Sequence, residues 1–500
     1  MLAFGEFLPD QSDYTNEGAI DAKNCIPLTN KSYAPLRDHS PVIDALTNRV
    51  QGAGTFQEDD GTIHTFCGDN QNLFLLGSAA FAEISKSTNA YTTATKDHWD
   101  FVQYGNRVVA VNGHTDAPQS YVMGTSSDFA DLGGSPPQFK HVAVISNFVM
   151  GGNTDVSGTV FPNRVHWSAI DNPADWPTIG SADAAAKQSD RQDLPYGTSV
   201  EAITGSIGGV DGAIFMRDSV YRVSYVGSPL VFEFTEVERG RGALTGKSVV
   251  NVGPFAFYLA EQGFFSFNGT QSTAIGNQKI DQFFFADLDY NFIHRVSGTA
   301  DPVNKLVYWS YPGAGNIDGT PNKLIIYNWE IGRWSYGDMV LDIIFKDTSP
   351  GYTLDNIDGF GNMDTLATDL DDRFWVGGFG NVSGFSSTHR LGTLTGSALA
   401  ATVTTTEFGG MELFQLANER LYINGVRPYV DGGTVTVTLT YRDSPSGTTS
   451  DDGANAVDSN GMAHFTRSCR YARVTVNIAA GGTWSHAQGV DLDVAQDGEA

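Results

Sequence analysis

From about residue 50 onward one pattern recurs along the chain. A polar turn leads into a run in which aromatic or β-branched side chains alternate with small or polar ones, and the run ends in glycine. "NQNLFLLG" ends at Gly77, "GNRVVAVNG" at Gly113, "VAVISNFVMG" at Gly151, "DSVYRVSYVG" at Gly227 and "EQGFFSFNG" at Gly269. A period of two turns one face of each run inward, which predicts strands rather than helices. The steps between these glycines are roughly 36, 38, 76 and 42 residues, close to one propeller blade or a multiple of it. The long step contains "DNPADWPTIGSADAAAKQSDRQDLP", which predicts one surface insertion with a helical turn at "ADAAAKQ". "NKLVYWSYPG", "NKLIIYNWEIGRWSYGD" and "DDRFWVGGFG" continue the strand pattern. The expectation is an all-β fold whose residues 50–391 form a propeller of about six to eight blades. Such a ring usually closes with a strand from one terminus completing a blade begun at the other.

The pattern changes at both ends. Residues 392–500 become Thr/Val-rich, with alternation in "GTVTVTLTYRD" and "YARVTVNI", and predict a separate small β-sandwich. Residues 1–49 show almost no periodicity. Within them Gly5–Leu36 sets apolar residues beside prolines in "FLPD", "NCIPL" and "YAPL". Proline stiffening lowers the entropy lost on docking. This predicts an extended, ordered arm that closes the ring or grips a neighbouring subunit, with Phe7, Leu8, Ile26 and Tyr33 as anchors.

Composition narrows the function classes. The 500 residues are 41% hydrophobic, enough for a large core, and carry a net charge of −27. That balance argues against tight nucleic-acid binding, which needs clustered Lys and Arg. It suits a surface past which DNA slides. The three cysteines, Cys25, Cys67 and Cys469, are widely spaced and form no CxxC. A disulfide framework or zinc site is not expected, and a reducing compartment is. No signal-peptide pattern and no membrane-spanning apolar run is expected.

The candidate chemistry is sparse. His98-Trp99-Asp100 and Arg164-Val165-His166-Trp167 are dense polar-aromatic clusters, but no nucleophile motif accompanies them, and packing roles are expected. The acids between Asp355 and Asp372 fail the EF-hand spacing. "QEDDGTIHTF" resembles the Asp-box turn of sialidase-type propellers at Asp59 and Gly61, but Gln57 stands where Ser or Thr should lead. "GGVDG" (208–212) lacks the lysine of a phosphate loop. "ERGRGA" puts Arg239 and Arg241 on a Gly-rich turn, as candidates for a subunit interface or a DNA channel. The expectation is no catalytic residue, no cofactor and no metal.

Several stretches resemble the β-propeller tail proteins of bacteriophages, the tail nozzle or packaged-DNA-stabilisation proteins of short-tailed phages and related hub components. The stretches are the arm "FLPDQSDYTNEGAIDAKNCIPLTNKSYAPL", then "NRVHWSAIDNPADW", "NWEIGRWSYGD" and "RYARVTVNIAAGGTWSHAQGVDLDV". The resemblance implies a non-enzymatic virion protein, assembled in the host cytoplasm as a homo-oligomeric ring, a hexamer, around the DNA channel. Its implied partners are the head-to-tail adaptor, a tail fibre, spike or needle protein, and, transiently, phage double-stranded DNA. It also implies that the ring retains the packaged genome and guides its ejection. A negatively charged channel would keep the DNA backbone from sticking. The C-terminal β domain is an addition relative to shorter nozzles. The alternative of another class is a glycan-binding or glycoside-hydrolysing propeller, using Trp and Tyr to stack on sugars.

Overall fold

The computed structural model describes residues 1–13, 16–77, 80–348, 380–410 and 420–497. Within them the repeating pattern folds into seven four-stranded antiparallel units. Their first strands are Gly52–Gln57, Asp100–Tyr104, Gln138–Ile145, Val200–Ile207, Val250–Val252, Ser297–Asp301 and Leu341–Thr348. These strands lie side by side around a central channel, and the last of them neighbours the first. The protein is therefore a seven-bladed propeller. In the seventh blade the chain supplies Leu341–Thr348, Gly380–Ser386 and Leu391–Thr393, and the fourth strand is Ser40–Pro41 from the arm. Pro41 lies opposite Gly392 and Ser40 opposite Thr393. Proline fits this outermost strand because its missing N–H faces no further neighbour.

The uneven glycine spacing has a structural cause. Gly77, Gly227 and Gly269 close third strands, whereas Gly113 follows a second strand and Gly151 lies within one. The insertion lies between the third and fourth strands of the third blade, Thr159–Trp167 and Arg191–Asp193. It carries the helical turn Ala182–Lys187, capped by Ser181, whose hydroxyl accepts from the Ala184 N–H at 3.0 Å. "GGVDG" is the tight connection into Val210–Met216, with Gly208 at φ +57° and Gly209 at φ +83°. Two successive left-handed residues explain the glycine pair.

The C-terminal sandwich takes strands from both ends of the chain. One sheet runs Cys25–Thr29, Ser32–Pro35, Ala487–Gln496, Leu421–Val430, Ala463–Cys469, with Leu2–Ala3 also paired to Ala487–Gln496. The other runs Ala19–Lys23, Ala401–Thr405, Tyr471–Ile478, Val435–Arg442, Ser450–Ala456. Alternation works as the sequence predicts: Val437, Leu439, Val474 and Val476 face inward and are fully buried. Each such side chain contributes about 1.5–3 kcal/mol by leaving water. Lys23 pairs in parallel with Tyr336 on the last strand of blade six, so one sheet continues from that blade into the sandwich. The apolar core is equally continuous. Phe264, Trp309 and Trp334 of blades five and six belong to one cluster with Phe4, Phe7 and Tyr33 of the arm and Val403 and Ile423 of the sandwich.

The arm is held along its whole described length. Phe7 is buried, with its ring 5.5 Å from Tyr336 and 5.5 Å edge-on to Phe283. Three residues on, Asp10 accepts from the N–H groups of Gln282 and Phe283 at 2.9 and 2.8 Å and so caps the helix Asp281–Asp287. Asn24 adopts a left-handed backbone and bridges two units. Its amide donates to the Ala400 carbonyl at 2.8 Å, and its side-chain oxygen accepts from Asp338 N–H at 2.8 Å. The Tyr33 hydroxyl donates to the Gly5 carbonyl at 2.9 Å, and the Arg333 guanidinium covers its ring. Leu8 is nearly buried, and Ile26 packs partly buried against the cluster around Leu36 and Leu341.

Candidate functional site

The channel opens at the starts of the seven innermost strands into a cavity of about 490 Å³. That lies within the size range of small-molecule pockets. Alternation on the strands places its polar groups. In His98-Trp99-Asp100 the indole turns between blades one and two, where its N–H donates to the Asp69 carbonyl at 2.7 Å. A Cβ on Gly68 would stand 2.4 Å from that indole, so glycine makes the seat. The residues on either side, His98 and Asp100, then line the channel. Lys140 and His141 line it from blade three and Glu201 from blade four. Arg217 comes from the turn after Val210–Met216, and Lys247 from the short turn Gly246–Ser248. A Cβ on Gly246 would meet the Glu201 carbonyl at 2.0 Å, so the turn's close seating on blade four requires glycine.

Ion pairs organise this rim. Lys140 meets Asp97 at 2.7 Å, and Lys247 meets Asp100 at 3.1 Å. Burial alone would discourage Asp100 from ionising. Lys247, His141 and the Val142 N–H more than offset it, and the carboxyl stays below its usual range. Burial pushes Glu201 upward against Ser199, Arg217 and Lys140. The three histidines are neutral. Burial, reinforced by Lys247, takes His98 down to about 3. Burial takes His141 down to about 4 against the pull of Asp100, and burial with Arg49 and Lys96 takes His294 down to about 4. His98 Nε2 donates to the His294 carbonyl at 2.5 Å, which fixes its tautomer. The positive charge of the mouth therefore resides on lysine and arginine.

The other residues singled out in the sequence lie elsewhere. His166 is buried in blade three with its ring edge-on to Trp176 at 5.4 Å, and burial pushes it down to about 4. Arg164 forks onto Asp193 through bonds of 2.5 and 2.8 Å, and the Trp167 N–H donates to the Gln188 carbonyl. Those are packing roles. Asp59 is exposed on the hairpin between Gly52–Gln57 and Ile63–Gly68, where its N–H donates to Asn106. Arg239 ends the outermost strand of blade four, pairs with Glu236 and covers the Tyr196 ring. Arg241 faces Glu238 at 3.8 Å. Both arginines belong to the outer edge of the propeller and not to the lining of its own channel. The acidic run Asp355–Asp372 lies outside the described residues. Among the described residues no group of three or more His, Cys, Asp or Glu is placed to hold a metal ion, and no helix is long and apolar enough to cross a membrane.

Lys96, Lys140, Glu201, Arg217, Lys247 and His294 were not singled out in the sequence as a group. They are separated by up to about two hundred residues, and only ring closure joins them. The available signal was a polar residue at or just before the start of successive inner strands, as in "KDHWD", "FKHVA" and "GKSVV".

No family model and no curated protein matches the chain. Solved structures match the chain at low identity. The extracellular domain of a putative one-component system from B. thetaiotaomicron is 10% identical with a TM-score of 0.43, over 87% of this chain and 48% of that one. The chain thus spans about half the length of that protein. AztD from Citrobacter koseri is 13% identical, TM-score 0.32, over 64% and 93% of the two chains. The WD40 domain of Neurospora crassa Pan2 is 8% identical, TM-score 0.38, over 63% and 90%.

Proposed function

We propose that this chain is a non-enzymatic structural subunit of a phage tail, of the nozzle or hub kind, standing in a ring around the DNA channel to retain and guide the genome. One observation carries the reading beyond the sequence resemblance. The propeller and the sandwich share a continuous sheet through Lys23 and Tyr336, and the arm supplies strands to both. A subunit that holds a genome in place needs its parts to move as one body, and a shared sheet and core provide that. The chain's charge of −27 suits a wall past which DNA moves without adhering. The glycan-active alternative has less support at the channel, where among the described residues Phe345 is the only Phe, Tyr or Trp in the cavity lining.

Sedimentation velocity of the purified chain, with negative-stain imaging of the fastest species, tests the proposal. The expected result is a closed ring far heavier than the 53.8 kDa protomer, formed alone or on addition of the adaptor ring. A protomer that stays monomeric with the adaptor present and releases reducing sugar from host glycans would overturn it.

A further inference from the structure

We propose that the channel mouth binds a small phosphate-bearing molecule. The charge inventory motivates this. The chain has 57 acidic against 30 basic residues, yet the cavity is lined by Lys96, Lys140, Arg217, Lys247 and Lys346 against three acids, Asp97, Asp100 and Glu201. Since the histidines there are neutral, the described lining carries two net positive charges inside a strongly negative protein. Two of the acids are already engaged: Asp97 by Lys140 and Asp100 by Lys247. Lys96 and Lys346, both exposed, have no carboxylate partner among the described residues. Arg217 is half-exposed and anchored by its donation to the Leu244 carbonyl at 3.0 Å, with Glu261 at 3.5 Å.

The mutual influence of these groups places them around one space. Lys96 and Arg49 both depress His294, Lys247 depresses His98 and His141, and Lys140 acts on His141 and Glu201. A net charge of +2 matches a phosphate dianion. Lysine binds phosphate as a point charge and needs no planar fork. The cavity, at about 490 Å³, admits a molecule larger than the bare ion, and its walls of Ile203, Ile344 and Thr299 leave room for an uncharged body below the phosphate. The site goes beyond the structural role proposed above and does not depend on it.

The test is isothermal titration of the full-length protein with inorganic pyrophosphate, repeated with citrate, at fixed ionic strength. The expected result is saturable one-site binding of pyrophosphate, tighter than citrate, that weakens at least tenfold in Lys96→Ala/Lys346→Ala. Both lysines are exposed, so the double variant should keep the fold, which its melting temperature verifies. Lys31→Ala, on the exposed turn of the arm, should leave binding unchanged. Absence of saturable binding, equal binding in the double variant, or a preference for citrate would each overturn the proposal. The ring assay is independent of every one of these outcomes.

Discussion

The propeller and the sandwich are both all-β, and the chain builds them in opposite ways. Each of the first six blades is a contiguous stretch whose four strands follow one another in sequence. The sandwich brings Leu2–Ala3 beside Ala487–Gln496 and Ala19–Lys23 beside Ala401–Thr405, and so spans nearly the whole chain. Local pairing leaves a local signature, and the blades are readable as a recurring strand and turn. Pairing across hundreds of residues leaves little, because the arm's strands are short and, apart from the hairpin of Cys25–Thr29 with Ser32–Pro35, find their partners far away in sequence. The seventh blade lies between the two cases: three of its strands are local and the fourth comes from the arm. The arm is therefore the element on which the distant contacts of both units converge.

Removing residues 1–41 should have the largest effect. It takes away five strands and the buried Phe4, Phe7 and Tyr33. The expected outcome is loss of cooperative unfolding in both units, followed by circular dichroism and intrinsic fluorescence. A truncated protein that keeps a native-like melt in either unit would separate the two and weaken the comparison.

Two point changes then probe one unit each. Arg295 and Asp342 form a buried ion pair at 2.9 Å between blades six and seven, and His389 meets the same carboxylate at 2.7 Å. Arg295→Met leaves the buried Asp342 carboxylate to His389 and should cost about 3–5 kcal/mol. Leu439→Ala in the sandwich should cost about 2–5 kcal/mol by opening a cavity. Because the units share one core, urea titrations monitored in either should shift together. A shift confined to the unit carrying the change would break that coupling.

The stability of the propeller also depends on pH through buried titratable groups. Folded His166 is held at about 4, while the unfolded residue titrates near 6.5. Between these values the unfolded chain binds more protons, so this contribution is complete above about pH 6.5 and is lost as pH falls towards 4. At pH 5 the loss is about 2 kcal/mol. Asp281 acts in the opposite sense, since burial raises it to about 6, and its contribution is lost as pH rises through that value. Comparing wild type with His166→Phe cancels Asp281. The variant should lose less stability than wild type between pH 7 and pH 5, and equal losses would refute the assignment. The smallest effect is expected from Asp10→Ala, which uncaps the helix Asp281–Asp287 at a cost of about 1 kcal/mol in urea titration. No change would mean that the arm does not hold that helix.

The sequence made the blades, the helical turn at Ala182–Lys187 and the burial of Phe7 and Tyr33 legible, because each rests on alternation, an alanine-rich run or apolar residues next to prolines. It pointed to ring closure by the arm, which Ser40–Pro41 performs, but not to the arm's place in the sandwich. Asn24 looks like an ordinary turn residue until its amide is seen to join Ala400 and Asp338. The channel mouth was hidden for a related reason. His98 and Asp100 flank a tryptophan whose packing dominates the local pattern, and their cationic neighbours come from other blades.

Hydrogen exchange of the intact protein, followed by mass spectrometry, tests most directly whether the arm is an integral part of both units. Ala19–Lys23 and Cys25–Thr29 should exchange as slowly as Val435–Arg442 and Tyr471–Ile478, through the same global opening. Exchange of the arm strands within seconds, while the sandwich and the seventh blade remain protected, would contradict it.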